Sequence, residues 1–196
     1  MKNKKIVVKN VEDYNKFIKI LFLYKTLFYR NVFFSCKVNP LFKDVKSIIE
    51  ALNIKNRKKG IEYIYDYSCS YIDNYCEKKD FCKFKSNKCL NQYKTEYENG
   101  CCRGCRYQSK KGCVTSNLTC KLFYCSSVKE HNIIITLKDL KILKLFSLRQ
   151  KTIVKHDFFV SRETMLKDLY LGGIIIFTFK TIFRLRYIRK QTKKTN

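Results

Sequence analysis

The chain has 196 residues, and its 42 Lys and Arg against 16 Asp and Glu give a formal net charge of +26 at pH 7. A hydrophobic content of 45% and an aromatic content of 15% exclude a wholly disordered chain. The length suits one domain with a modest core, or one domain with appendages. Because so large a positive charge attracts polyanions, a nucleic acid and an anionic membrane surface are the candidate partners.

The N-terminal residues predict two helices after a short basic start. Residues 1–10 are interpreted as a frayed end. From Val11 to Phe34 the apolar residues recur at helical spacing, and the lysines between them favour a buried amphipathic helix over a membrane span. Asn39-Pro40 marks a turn, and a second helix is predicted from Leu41 to Leu52.

The next segments are less regular. Residues 55–60 are interpreted as a charged linker that ends at a glycine. Residues 61–75 are rich in tyrosine, and their spacing fits a strand and a helix equally, so both interpretations stay open. Leucines at helical spacing from 137 to 146 predict a third helix. Ser161 is the predicted N-cap of a fourth helix that Gly172-Gly173 ends.

The C-terminal part contains the second membrane candidate. Leu169 to Phe179 is an uncharged run of eleven residues, whereas a helix needs about 20 residues to span a bilayer. From Phe177 to Tyr187, apolar residues alternate with cationic residues, which favours a strand. Core packing is therefore the favoured interpretation, ahead of contact with a membrane surface and of a membrane span.

Cysteine is the most informative residue type in the chain. No sustained apolar run follows the basic N-terminus, so we expect no signal peptide and a cytoplasmic location. Thiols stay reduced in that compartment, which favours metal binding over disulfides. The eleven cysteines, ten of them between positions 69 and 125, are Cys36, Cys69, Cys76, Cys82, Cys89, Cys101, Cys102, Cys105, Cys113, Cys120 and Cys125.

The strongest motif is the pair Cys102-x2-Cys105, because two intervening residues let one tight turn bring both sulfurs to the same metal. Gly104 suits the backbone conformation of such a turn. The side chain of Cys101 points away from that of Cys102, so this doublet indicates a second metal, a bridging thiolate or a free thiol. The cysteines within reach to complete the site are Cys113, Cys120 and Cys125.

The donor type restricts the metal. Thiolates are soft ligands, so zinc is the predicted cofactor and iron or an iron–sulfur cluster is the alternative. Cys76, Cys82 and Cys89 are more widely spaced and are predicted as second-tier ligands, whereas Cys36 is expected to be a buried apolar residue. The basic residues Arg103, Arg106, Lys110, Lys111 and Lys121 are expected to offset thiolate charge.

Residues 100–125 resemble the YkgJ-type cysteine-cluster family of bacterial proteins, which are described as zinc- or iron-chelating domains. The resemblance is carried by the doublet Cys101-Cys102, by Gly112-Cys113 and by the run from Cys120 to Cys125 (Cys-Lys-Leu-Phe-Tyr-Cys). It departs from the family's Tyr-x-x-Arg-Pro step, in whose place this chain has Ser-Asn-Leu-Thr. The resemblance implies metal chelation by Cys101, Cys102, Cys113, Cys120 and Cys125.

These observations predict a mainly α fold in which helices flank an irregular, metal-stapled, cysteine-rich centre. The expected divisions are an N-terminal helical segment (1–60), a cysteine-rich metal-binding region (61–130) and a C-terminal helical segment with a basic tail (131–196). The predicted function is metal binding with a structural cluster, and the alternative is a basic nucleic-acid-binding module scaffolded by the metal site. No catalytic constellation is recognisable, so a non-enzymatic role is favoured. A secreted disulfide protein, suggested by the sequon Asn117-Leu-Thr119, is the least favoured interpretation.

Overall fold

The computed structural model describes residues 2–27, 31–81, 84–85, 88–89, 108–109, 112–113, 115, 117–124, 126–156, 160–171 and 182. Over these residues the protein is mainly helical, as the sequence predicted. The elements are β1 (Lys2–Val8), α1 (Val11–Leu27), β2 (Val32–Val38), α2 (Lys43–Asn53), α3 (Arg57–Lys79), β3 (Phe84–Lys85), β4 (Lys88–Cys89), β5 (Gln108–Ser109), β6 (Gly112–Cys113), α4 (Leu118–Lys121), α5 (Ser126–His131), α6 (Leu148–His156) and α7 (Arg162–Leu171), with 3₁₀ turns at Pro40–Phe42 and Lys141–Leu145.

The N-terminal part is a β–α–β unit in which β1 and β2 pair in parallel, from Lys2 opposite Val32 to Val8 opposite Val38. The expectation of a frayed start was therefore wrong, and helix α1 ends at Leu27 rather than continuing to Phe34. The reason is that Val32–Val38 is rich in β-branched and aromatic residues, which favour a strand once a partner strand is available. Alternate residues of each strand face the core.

Asn53, the last residue of α2, forms hydrogen bonds with the backbone of β2. The Asn53 side chain accepts a hydrogen bond from the backbone N–H of Phe34 at 2.9 Å and donates one to the Phe34 carbonyl at 2.8 Å. Lys55 donates to the carbonyl of Val32 at 2.8 Å. Cys36 lies further along β2, beyond these contacts, and is exposed. The expectation that it is a buried apolar residue was therefore wrong.

Helix α3 is the longest element, and it resolves the tyrosine-rich segment as a helix. It begins after Asn56, whose side chain accepts the N–H of Lys59 at 3.0 Å. Gly60 therefore lies in the first helical turn and does not end a linker. The helix ends where Asp80 adopts a left-handed conformation, with a φ of 42°. The buried residues of its inner face are Gly60, Ile61, Ile64, Tyr65, Ser68, Cys69 and Ile72.

The C-terminal helices pack against each other, and α7 also packs against α3. The third helix predicted from 137 to 146 was wrong, because these residues form a turn and the 3₁₀ turn Lys141–Leu145, and the helix that follows them is α6. The fourth helix is confirmed as α7, where the Ser161 hydroxyl accepts the N–H of Thr164. The Arg162 guanidinium of α7 donates hydrogen bonds to two carboxylates of α3, to Glu62 at 2.8 Å and to Asp66 at 2.7 Å. Hydrogen bonding to both carboxylates raises the pKa of the Arg162 guanidinium.

The described helices give no support to a membrane span, since none of them has both the length and the apolar character that crossing a bilayer requires. The predicted alternating strand from 177 to 187 lies outside the described residues, apart from Ile182.

Candidate metal centre

The nine predicted ligands fall into three groups. Cys76 and Cys120 have described side chains, and each is half-buried. Cys89 and Cys113 are described as backbone, in β4 and β6, where they pair with Phe84 and Gln108 in antiparallel ladders. The predicted ligands that lie outside the described residues are Cys82, Cys101, Cys102, Cys105 and Cys125.

Helix α4, which carries Cys120, is held against α3 at a junction that the structure describes in detail. The hydroxyl of Tyr65, which is fully buried, accepts the backbone N–H of Leu118 at 3.0 Å. On the other side of α4, the hydroxyl of Thr119 donates to the carbonyl of Val154 in α6. Burial raises the pKa of Tyr65, so its hydroxyl stays protonated. The short helix that carries Cys120 is thereby fixed between α3 and α6.

Asn117 determines where α4 begins. Its side-chain oxygen accepts the N–H of Cys120 at 3.0 Å, and its own N–H bonds to the Thr115 hydroxyl at 3.1 Å. The Asn117 side chain is fully buried, and its amide nitrogen has no acceptor among the described residues. A glycan cannot be attached to an amide in this position without unfolding the junction. The sequon at Asn117 is therefore a structural cap in the folded chain.

A second set of contacts joins the end of α3 to the residues that follow α4. The Cys76 sulfur lies 3.7 Å from the Tyr124 hydroxyl oxygen. The Tyr124 ring meets the edge of Phe81, with ring centroids 5.9 Å apart. Tyr75 donates to the carbonyl of Ile133 at 2.7 Å. The point where the chain leaves α3 and the point where it returns through α4 are therefore adjacent.

Burial raises the pKa of two thiols at this junction. Burial raises the pKa of Cys69 to about 12, although the charge of Lys121 partly opposes this effect. Burial also raises the pKa of Cys76, and the hydrogen bond between Cys76 and Tyr124 acts in the opposite direction. Lys121 is itself paired with Asp73 on α3. Cys69, which the sequence did not include among the ligands, is thus a protonated core thiol.

Among the residues that the structure describes, no group of three or more His, Cys, Asp or Glu side chains could hold a metal ion. Cys69, Cys76 and Cys120 consequently do not make a site by themselves, even with Asp73 nearby. Any metal at this junction would take most of its ligands from the cysteines outside the described ranges.

We compared the chain with protein-family models, with curated proteins and with solved structures, and none of these comparisons returned a match. The resemblance to the YkgJ-type family thus stays a prediction. The fold and the junction define a mainly helical protein whose N-terminal β–α–β unit and C-terminal helices enclose α3.

Sequence reasoning missed Tyr65, Asn117 and Tyr124 as organisers of the junction. Tyr65 and Tyr124 contact residues more than forty positions away, and Asn117 caps α4. The spacing of residues in the sequence does not show such contacts. A signal was nevertheless present for Asn117, because an asparagine three residues before Cys120 fits an N-cap as well as a sequon.

Proposed function

We propose that the chain is a metal-binding cysteine-cluster protein in which zinc, or alternatively iron or an iron–sulfur cluster, stabilises the centre of the chain. The single observation that carries this proposal is the adjacency of Phe81 and Tyr124. Six cysteines lie between these two residues and outside α4, and Cys125 follows directly. Seven of the nine predicted ligands therefore lie in a stretch whose ends are held together, and the other two, Cys76 and Cys125, lie just outside its ends.

Composition explains why such a stretch needs a metal. Between Phe81 and Thr115 the only aliphatic residues larger than alanine are Leu90 and Val114. A segment with so little apolar surface cannot build a hydrophobic core, and small units of this kind depend on metals or disulfides. Metal binding supplies folding free energy directly when the site does not exist in the unfolded chain.

One feature of the junction suits a thiolate ligand nearby. The buried amide nitrogen of Asn117 is a hydrogen-bond donor without an acceptor among the described residues, and a metal-bound thiolate is an acceptor of the right kind. A buried donor of this kind fits an anionic cluster better than a set of neutral thiols.

The test is metal quantification on protein purified under reducing, oxygen-free conditions, together with an ultraviolet–visible spectrum. We expect near-stoichiometric zinc and a colourless protein; visible absorption with bound iron would support the iron–sulfur alternative. Protein that contains neither metal, under conditions where it is folded, would refute the proposal.

A matched pair of variants tests whether the metal binds at the junction of α3 and α4. Cys120→Ser removes a predicted ligand at the junction, whereas Cys36→Ser makes the same change at the exposed cysteine of β2. We expect Cys120→Ser to lose metal and Cys36→Ser to retain the wild-type content. Equal metal content in both variants would show that Cys120 is not a ligand, and loss in both would point to a general effect of thiol loss.

A further inference from the structure

Strand β1 pairs with β2 along one edge, and its opposite edge has no partner strand among the residues that the structure describes. The N–H of Lys2 donates to a carbonyl just before β2, and the carbonyl of Val8 accepts an N–H just after it, both at 3.0 Å. The backbone groups of successive residues point to opposite sides of a strand, so the even-numbered residues of β1 bond toward β2. Those of Asn3, Lys5 and Val7 therefore point the other way. We call this side of β1 the open edge.

The open edge differs from the outer edge of β2. There, the side chains of Asn53 and Lys55 bond to backbone groups of the strand. In the described part of the chain, by contrast, no hydrogen bond satisfies the outward N–H and C=O groups of Asn3, Lys5 and Val7. The seven residues of β1 pair with β2 in unbroken register and include no proline, so the open edge is regular. A regular, unpaired edge is a template for another extended chain.

The charge around the open edge has one sign. Residues 2–9 contain no acidic residue, and their lysines are Lys2, Lys4, Lys5 and Lys9. The Lys4 ammonium lies on the α1 side of the strand, 4.7 Å from the centroid of the Tyr24 ring. Lys5 is exposed on the other face, where Val7 is 41% exposed. A strand added to the open edge would place its side chains beside Lys5 and Val7.

These lysines restrict what can pair with the open edge. Lysines on an edge strand prevent pairing with a like-charged strand, because like charges opposite each other are destabilising. A second copy of this chain, with a net charge of +26, is therefore a poor partner. A nucleic acid strand is anionic, but its backbone has no N–H groups to donate to the outward carbonyls. An extended peptide with carboxylate side chains meets both requirements.

We propose that the open edge of β1 binds an acidic peptide segment in an extended conformation, which adds a third strand to the sheet. The outward groups of Asn3, Lys5 and Val7 supply the main-chain hydrogen bonds, and the lysines select carboxylates. A third strand also suits the sheet itself, because a two-stranded sheet is only marginally stable without further packing. This site is separate from the candidate metal centre.

The experiment adds a synthetic peptide of alternating glutamate and valine, as long as the seven residues of β1, to the full-length protein with its metal as purified. Binding is measured by calorimetry, and backbone amide exchange is followed by NMR. We expect the peptide to slow exchange at the N–H groups of Asn3, Lys5 and Val7, whereas the N–H of Ile6 is already protected by β2. This alternation is the signature of strand addition, and charge attraction alone does not produce it.

A matched pair of variants isolates the backbone contribution. Val7→Pro and Val7→Ala change the same exposed side chain, but only proline removes the N–H that points to the open edge. We expect Val7→Pro to weaken peptide binding by about 10-fold or more, and Val7→Ala by less than about 3-fold. Equal affinities of the two variants would overturn the proposal.

A modified peptide keeps the test valid if Val7→Pro does not fold. The same sequence with N-methylated backbone amides retains its charge but cannot donate to a strand, so it should not bind the wild-type protein. Equal binding of the methylated peptide would overturn strand addition, as would peptide binding without the alternating protection. Protection of the same N–H groups by a single-stranded oligonucleotide, or by a dimer that the peptide does not dissociate, would overturn the assignment to an acidic peptide.

Discussion

Replacement of Lys25 by methionine should stabilise the protein at neutral pH. Lys25 lies in the last turn of α1 and is half-buried. Methionine keeps an unbranched apolar stem of similar length but removes a charge that burial and the positive charges of Lys151 and Arg57 disfavour.

The magnitude follows from the pKa of Lys25, which is lowered from 10.5 to about 8 by burial, by Lys151 and by Arg57, in that order. Each pKa unit corresponds to about 1.4 kcal/mol, so the upper limit is about 3 kcal/mol. Because the side chain is only half-buried, solvent screening reduces the expected gain to about 1–2 kcal/mol.

The pH dependence has a definite sign. Below pH 8, Lys25 is protonated in both the folded and the unfolded chain, so the folded state bears the full unfavourable interaction. Between about pH 8 and pH 10.5 the unfolded chain binds more protons, so this group's contribution raises stability as pH rises. The advantage of Lys25→Met should therefore be full at pH 7 and shrink toward zero near the upper end of that range.

Urea unfolding of wild type and Lys25→Met at matched pH values measures this difference, because the titrations of groups that do not interact with Lys25 cancel between the two proteins. The control is Lys19→Met, which changes an exposed lysine of the same helix and should alter the free energy of unfolding by less than about 0.5 kcal/mol. A Lys25→Met variant that is less stable than the wild type at pH 7, or a difference that does not vary with pH, would refute the reasoning.

Three further substitutions test the packing. Tyr65→Phe leaves the buried N–H of Leu118 without its acceptor and should lower the free energy of unfolding by about 1–3 kcal/mol, measured by urea titration. Asn53→Ala removes both hydrogen bonds to the edge of β2 and should lower the melting temperature through a loss of similar size, about 1–3 kcal/mol. Gly60→Ala should raise the free energy of unfolding by about 0.5–1 kcal/mol, because the added Cβ would lie 3.7 Å from the Ile54 carbonyl oxygen, an ordinary contact.

Tyr65→Phe and Asn53→Ala each have a control that makes the same change at another position. Tyr67→Phe removes a hydroxyl from α3 but keeps the ring that stacks on its neighbours. Asn15→Ala alters an exposed asparagine of α1. Each control should stay within about 0.5 kcal/mol of the wild type. An effect of Tyr65→Phe no larger than that of Tyr67→Phe would contradict the role of the Leu118 hydrogen bond.

The sequence predicted those elements whose pattern is local. Helix α2 has apolar residues at helical spacing, and the Ser161 cap of α7 is encoded within four residues. The strand β1 could not be predicted in the same way. Its lysines give it little hydrophobic periodicity, and it exists because β2, some thirty residues later, pairs with it in parallel.

The sequence of helix α3 fits both a strand and a helix for a different reason. Its tyrosines at 63, 67, 71 and 75 are four residues apart, but they form a row beside the core and not the core itself. The buried face contains Ser68 and Cys69, which an apolar count overlooks. At the candidate metal centre, cysteine spacing predicts thiolate donors, whereas the burial of Asn117 depends on tertiary contacts that its local cap signal does not report.

The distribution of the core limits what a metal can do for this fold. The buried apolar cluster takes residues from β1, α1, β2, α2 and α3 and, after the cysteine-rich stretch, from the 3₁₀ turn Lys141–Leu145, α6 and α7. Within the described residues between Phe81 and Tyr124, Leu118 is the fully buried member of that cluster. Because the core is assembled from both sides of the stretch, it does not depend on ligands within it. A metal there would order the centre and fix Cys120 against α3, while the hydrogen bond from Leu118 to Tyr65 links that local order to the core.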